Sequence, residues 1–244
     1  MKFLLPVLLG FSSCAALAQG NSSDAQDFIK KADYYRSSSA NVQVQTRIEV
    51  FARDGSMEKR RDYMVLAEAG HKTLVLMQSP SEKGQKILML GDDFWMFMPS
   101  SQRPIRITPT QKLLGEASTG DISTLSWSED YTGAVIGEEP CGTQTCLHLT
   151  LNGTRKGLTY SRIELWLGKV KKEPVKADLY VQSEKLAKTA SFFMENGMVS
   201  HMDLQDLVSN HKMTRITYLS RQNRTIPTEW LNPMFLARNP DLGQ

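Results

Sequence analysis

Between Val42 and Leu90 the chain has no room for a helix between its strands. Val42, Val44, Thr46, Ile48 and Val50 alternate with Gln43, Gln45, Arg47 and Glu49, the period-two pattern of a half-buried strand. Arg53-Asp54-Gly55-Ser56 turns the chain, and residues 57–68 return it with Tyr63, Val65 and Ala67 on one side. Ala69-Gly70 turns it again, and residues 73–77 make a third strand. A parallel neighbour needs a crossover of a dozen or more residues, and no connection here supplies one. The stretch is an antiparallel meander. Strand-like runs resume at 131–137, 145–151, 160–167, 175–182, 186–194, 199–206 and 212–219, with turn signals at Asn152-Gly153, Gly168, Glu184-Lys185 and Asn196-Gly197. Ile163, Leu165 and Leu167 share one face of their run. This spacing predicts a mainly β (α+β) chain with one large antiparallel sheet, curled or barrel-like.

The densest apolar run is a hairpin that does not alternate. Residues 87–90 and 94–98 flank the turn signal Gly91-Asp92-Asp93, and both faces of the pair are apolar. Pairing across that turn predicts Ile87, Met89, Trp95 and Phe97 on one face and Phe94, Met96 and Met98 on the other. After Pro99 come Arg103, Arg106 and Lys112, interspersed with Pro104, Ile105 and Ile107, then Leu113-Leu114-Gly115. The reading is an apolar platform with a basic rim and a short flap. Residues 112–130 form the one long break between strands, and one or two short helices are expected there over the mouth of the sheet. Phe28, Ala32 and Tyr35 follow helical spacing near the N-terminus. Pro227, Trp230, Leu231, Pro233, Phe235 and Leu236 make an apolar tail expected to seal the far end.

Three ordered elements carry a resemblance: the G-D-x-x-W-x-F-x-P core from Gly91 to Pro99, Arg103-x-x-Arg106-Ile107, and Gly115 spaced six residues from Asp121. As a set they resemble the central block of the outer-membrane lipoprotein-sorting protein family, which is similar to the periplasmic lipoprotein carriers and acceptors. Weaker similarity continues from Tyr160 to Trp166 and on to the C-terminus. The resemblance implies a half-open barrel closed by an N-terminal helix and short lid helices, around an apolar cavity for acyl chains. It assigns Ile87, Met89, Trp95, Phe97, Leu113 and Leu114 to that cavity and Arg103 and Arg106 to its rim. Gln102 and Pro104 interrupt what is a more basic stretch in the family.

Compartment is read from the ends of the chain and from cysteine. Lys2, the apolar residues 4–9 and Ala16-Leu17-Ala18 describe a cleavable secretory signal over residues 1–18, leaving one domain over 19–244. The rival reading makes Cys14 a lipidated residue. Cys141 and Cys146 then remain as an even pair about a turn, expected to form a structural disulfide in an oxidising compartment. A formal charge of +3 is too near balance to argue for nucleic acid. The basic clusters at 59–61 and 169–176 read as solvated strand ends and turns. His71, His148, His201 and His211 are scattered without metal-ligand spacing, so no metal or other cofactor is expected. Phosphate loops and the G-x-S-x-G elbow are absent.

Together these readings predict a non-catalytic, monomeric periplasmic protein. It would shield acyl chains of lipoproteins or lipids and exchange them with an inner-membrane transporter. A second hypothesis is an accessory module docking on an envelope export complex through the apolar face. A third is an enzyme on lipid or cell-wall material, against which the missing nucleophile motif argues.

Overall fold

The computed structural model describes residues 22–101, 103–123, 125–206 and 213–242. The expected signal with Cys14, as well as Gln102, His211 and the start of the last expected strand at Lys212, lie outside the described residues. Helix α1 spans Ser22–Ser37. Six strands follow: β1 Val42–Phe51, β2 Met57–Glu68, β3 Lys72–Met77, β4 Lys86–Leu90, β5 Asp93–Phe97 and β6 Ile105–Ile107. A small hairpin, β7 Lys112–Leu114 and β8 Ala117–Ser118, leads into the short helix α2, Thr119–Ser123. Then come β9 Tyr131–Cys141, β10 Gln144–Gly153, β11 Arg162–Gly168, β12 Pro174–Tyr180, β13 Leu186–Glu195, β14 Met198–Asp206 and β15 Met213–Asn223. The tail carries a 3-10 turn at Thr228–Leu231 and helix α3, Pro233–Leu236.

Thirteen strands form one sheet in the order β6-β5-β4-β3-β2-β1-β15-β14-β13-β12-β11-β10-β9. Every pairing is antiparallel, so the sheet is two meanders joined where β1 pairs with β15. It does not close into a barrel: β6 and β9 are its edges. The chain leaves the β6 edge at residue 108 and re-enters at the β9 edge at residue 131. It makes that passage across one face, and β7, β8 and α2 lie on the way. Two small strands and one five-residue helix thus stand where short helices alone were expected.

The face that this segment and α1 cover is the inner one. Its buried side chains run the width of the sheet, from Ile87 and Val75 through Val44, Ile48 and Ile216 to Leu204, Leu165 and Leu149. Ala25, Ile29 and Ala32 of α1 are fully buried against it, and Ile122, Leu125 and Trp127 fill the rest. Phe28 and Tyr35, the expected contact residues of α1, flank this face half-buried.

The outer face is divided. Over β1 it carries Gln43, Gln45, Arg47 and Glu49, all half-exposed. Over β2 to β5 it is apolar, and the C-terminal tail lies on it: Ile226, Leu236 and Leu242 pack on Leu66, Leu74, Leu76, Leu88 and Phe97. The tail therefore covers a face and not an end. Its polar anchors are Ile226 N–H donating to Glu68 at 2.7 Å and the buried Lys86 ammonium donating to the Asn239 side chain at 2.6 Å. This cover explains why β3 is buried at five successive residues while β1 alternates.

The β4–β5 hairpin corrects the sequence reading. Its turn has two residues, with Leu90 opposite Asp93, Leu88 opposite Trp95 and Ile87 opposite Met96. Directly paired residues share a face, and a one-residue difference in register flips a strand. Ile87, Met89, Phe94 and Met96 therefore face inward, and Trp95 and Phe97 face outward beneath the tail. The disulfide between Cys141 and Cys146 is present, with Cα atoms 5.8 Å apart, and it packs on Trp166.

Replacing Leu236, fully buried in the tail, by Ala is expected to lower stability by about 2–5 kcal/mol. Urea denaturation measures this. Limited proteolysis should cut the variant first in the tail, and first cleavage within β9 to β15 would contradict the assignment.

Candidate functional site

The candidate site is the inner face together with the segments that close it. Residues 108–130 are attached by a sequence of tight contacts. Gly115 has a φ of 55° and lies where a Cβ would meet the Thr214 hydroxyl and the Val50 side chain, so both backbone conformation and space demand glycine. The next amide, Glu116 N–H, donates to Thr214 Oγ1 at 2.8 Å. Asp121, six residues after that glycine, is the second anchor. Its Oδ2 accepts from the Lys188 ammonium at 2.7 Å and from the Ser118 amide and hydroxyl at 2.8 and 2.7 Å. Its Oδ1 accepts from the Tyr160 hydroxyl at 2.6 Å. Burial alone would raise this carboxyl, but the Lys188 charge and then the bonds from Lys188, Tyr160 and Ser118 hold it below the usual carboxylate value.

A second buried carboxylate ties α1 to the same segment. Asp33 accepts from the amides of Trp127 and Ser128 at 2.7 and 2.8 Å and from the Ser126 hydroxyl at 3.1 Å. Arg36, one turn on, lies 3.8 Å from Asp33 and stacks its guanidinium 3.9 Å from the Trp127 ring centre. Burial pushes the Asp33 carboxyl up, and Arg36 and the two amides oppose that without cancelling it. Trp127 also meets Phe192 edge-on at 5.7 Å. Asp33 and Asp121 thus hold the closing segments from within the interior, where an unpaired charge is costly; Glu116 and Asp130 of the crossing segment are buried as well.

Little space remains beneath them. A cavity of about 40 Å³ lies among Arg36, Asp121, Trp127, Tyr160, Leu179 and Met202. A larger cleft of about 270 Å³ opens between the end of α1, the β2–β3 turn and residues 125–130, and Met89 reaches its wall. His71 Nδ1 sits at its margin, 3.1 Å from Asp130, which also accepts from Arg155 at 2.7 Å. Arg155 in turn pairs with Asp92 and so fastens the β4–β5 turn to the loop after β10.

The expected site residues separate into two groups. Ile87 and Met89 face inward, and Leu113 and Leu114 of β7 pack half-buried on the inner core. Trp95 and Phe97 belong to the outer cluster. Arg106 is also on the outer side, on an edge strand the sequence reading did not foresee; it pairs with Asp93 at 2.6 Å and lies over Trp95. Arg103 is exposed in the preceding turn. Asp33, Trp127, Tyr160 and Lys188 were not among the expected site residues. Lys188 shares the buried face of β13 with Ala190 and Phe192, and a cation in phase with an apolar stripe is a visible signal. Among the described residues no group of three or more His, Cys, Asp or Glu is placed to hold a metal ion.

A family model described as an uncharacterized protein matches residues 69–238. No curated protein matches the chain. Among solved structures, a LolA superfamily protein from Nitrosomonas europaea is 28% identical, with 85% of this chain and 97% of that one aligned at a TM-score of 0.77. An outer membrane lipoprotein-sorting protein domain from Vibrio parahaemolyticus is 19% identical over 89% of this chain and all of that one, at 0.67. A DUF1329 family protein from Desulfovibrio piger is also 19% identical, over 86% and 97%, at 0.67. The resemblance drawn from the 91–121 block therefore stands at the level of the fold.

The two buried carboxylates predict opposite pH dependences. Asp121 is depressed in the folded state, so its contribution is present above the unfolded carboxyl value of about 3.9 and is lost as pH falls. Asp33 is raised, so its contribution is present below that value and is lost as pH rises through its folded pKa. The stability difference between wild type and Asp121→Asn should therefore shrink on acidification. The difference for Asp33→Asn should move in the variant's favour as pH rises. Urea titrations from about pH 3 to about pH 7 read both slopes, and slopes of the same sign would refute the assignment.

Proposed function

The chain belongs to the family of uncharacterized proteins whose model spans residues 69–238, and from that premise we propose that it is a periplasmic carrier of acyl chains. Its cargo is the lipid part of lipoproteins or a free lipid, taken onto the inner face of the sheet and passed toward the outer membrane. The observation that carries this reading is the way the inner face is closed. An apolar surface thirteen strands wide is covered by one helix and one crossing segment, each fastened by a buried carboxylate. A cover of that kind is detachable, whereas a second sheet would not be. The likeness in fold to a protein named for outer membrane lipoprotein sorting supports the same reading.

The space beneath the cover, a cavity of about 40 Å³, is smaller than an acyl chain, so in this reading the cover moves when cargo binds. Cargo enters by displacing Trp127, Ile122 and the α1 face. The energetics allow this exchange. A chain of about 15 methylenes gains roughly 12 kcal/mol on burial at about 0.8 each, and this offsets the opening of the two clamps, about 3–5 kcal/mol for each buried pair broken, while the cargo takes over the apolar contacts of the displaced side chains. The work needs apolar area and shape and no catalytic group. Leu113, Leu114, Ile87 and Met89 are the residues proposed to touch cargo, and an inner-membrane transporter is the proposed donor.

A fluorescent fatty-acid probe tests the reading. Wild type should bind it, and Trp127→Ala, which removes the largest side chain of the cover, should bind about tenfold more tightly, since an enlarged apolar cavity admits apolar ligands. Trp95→Asp, on the outer face, should bind as wild type does once a cooperative melt shows that it is folded. Mass spectrometry of the native protein should find co-purifying lipid. A wild type and a Trp127→Ala variant that both fail to take the probe, with no lipid found, would reject the carrier reading.

A further inference from the structure

The hairpin loop between β11 and β12 presents its apolar residue to solvent. Val170 is 89% exposed, the most exposed large apolar side chain among the described residues. It is flanked by Lys169, Lys171 and Lys172. Turn positions ordinarily favour Gly, Asn, Asp or Ser, so an apolar tip between cations is not explained by turn chemistry.

The loop is rigid. Gly168 N–H donates to Glu173 C=O at 2.9 Å, Lys172 N–H to Gly168 C=O at 2.9 Å and Lys169 N–H to Thr145 C=O at 3.0 Å. Lys172 takes a φ of 64°, and a Cβ on Gly168 would strike the Glu173 carboxylate. Val170 is therefore held outward by a fixed backbone. Lys169 pairs with Glu138 at 2.8 Å, both about half exposed, and Lys171 is exposed.

The loop is also joined to the cover of the inner face. The Tyr35 hydroxyl donates to Lys171 C=O at 3.0 Å, and the Lys172 ammonium lies 4.7 Å from the Phe28 ring centre. Tyr34, next to Tyr35 and 60% exposed, lines the 270 Å³ cleft. The loop, the end of α1 and the cleft thus occupy the same end of the molecule.

We propose that the β11–β12 loop docks this protein on anionic phospholipid surfaces, with Val170 entering the interface and the exposed Lys169 and Lys171 beside it meeting headgroup phosphates, while the Lys172 ammonium stays over Phe28 and on the Lys169 carbonyl. An apolar tip gains by leaving water, and cations near an anionic leaflet gain by attraction. The pairing of an apolar tip with cations on one short, hydrogen-bonded loop suits a lipid interface and suits a protein groove less, since the exposed ammonium groups of Lys169 and Lys171 resist desolvation. Docking there brings the cleft and α1 to the membrane. This goes beyond the carrier reading and does not rest on it, because binding to a vesicle needs no cargo.

Vesicle co-sedimentation tests it, with phosphatidylcholine alone or mixed with phosphatidylglycerol. The protein should bind the mixed vesicles, release them as salt is raised, and ignore the neutral ones. Val170→Asp and Lys171→Glu, both at exposed positions that leave the fold intact, should each weaken binding about tenfold. Lys59→Glu, in the other basic cluster and at the opposite end of the strands, should leave it unchanged. Absence of binding to the mixed vesicles, equal binding to neutral ones, or an equal loss with Lys59→Glu would overturn the proposal.

Discussion

The pairing of β1 with β15 organises the rest of the molecule. It joins the second element of the chain to its last strand across ten residue pairs, with one irregularity at Gln45 and Thr46. Two meanders that would each be a modest sheet become one sheet of thirteen strands. Their sequence-internal ends, β6 and β9, become the two distant edges. The link between them must then cross a face, and the face it crosses is the one that needs covering. Helix α1, lying just before β1, is placed over the same face. The closing segments follow from strand order and need no separate explanation.

The two faces are closed by different physics. The outer patch over β2 to β5 is covered by the tail through aliphatic packing, with two hydrogen bonds to fix its ends. The inner face is covered by segments that carry buried charge. Asp33 and Asp121 are each surrounded by donors, so the covered state is well satisfied while it lasts and costly in half-broken form. That favours two discrete positions for the cover over a continuum. In the proposed carrier cycle the polar cost of opening would lie in a few named bonds, and the apolar cost would be offset by the cargo that replaces Trp127 and Ile122. Arg155 adds a third fastening away from both clamps, pairing with Asp130 at the end of the crossing segment and with Asp92 in the β4–β5 turn.

Much of the fold was legible. Alternation in β1, the turn pairs, the even cysteine pair and the absence of crossovers sufficed for a single antiparallel sheet, and strand limits fell within a few residues. The misses have specific causes. Gly91-Asp92-Asp93 is compatible with a two- or a three-residue turn, and that one residue decides which face Trp95 and Phe97 occupy. β6 is three residues between Pro104 and Pro109, too short for any periodicity to show. The position of the tail is a tertiary fact, although the two-sided apolar character of β3 to β5 already required some cover. The clamps were the recoverable loss. Asp33 and Arg36 share the α1 face of Ile29 and Ala32, and Lys188 sits in phase with Phe192, so charged residues on apolar faces were there to be read.

The tail also sets an order of events. A chain made from its N-terminus presents β2 to β5 complete, apolar on both sides, while more than a hundred residues remain to be added. The strand that pairs with β1 arrives late, and Ile226, Leu236 and Leu242 arrive last of all. For that interval the first meander lacks the tail over its outer face, and exposed apolar surface of that kind lets intermediates associate. A chain that stops before Ile226 retains a long exposed apolar surface over β2 to β5. Until residues 226–242 are in place, that outer face is a surface on which copies of the chain can associate.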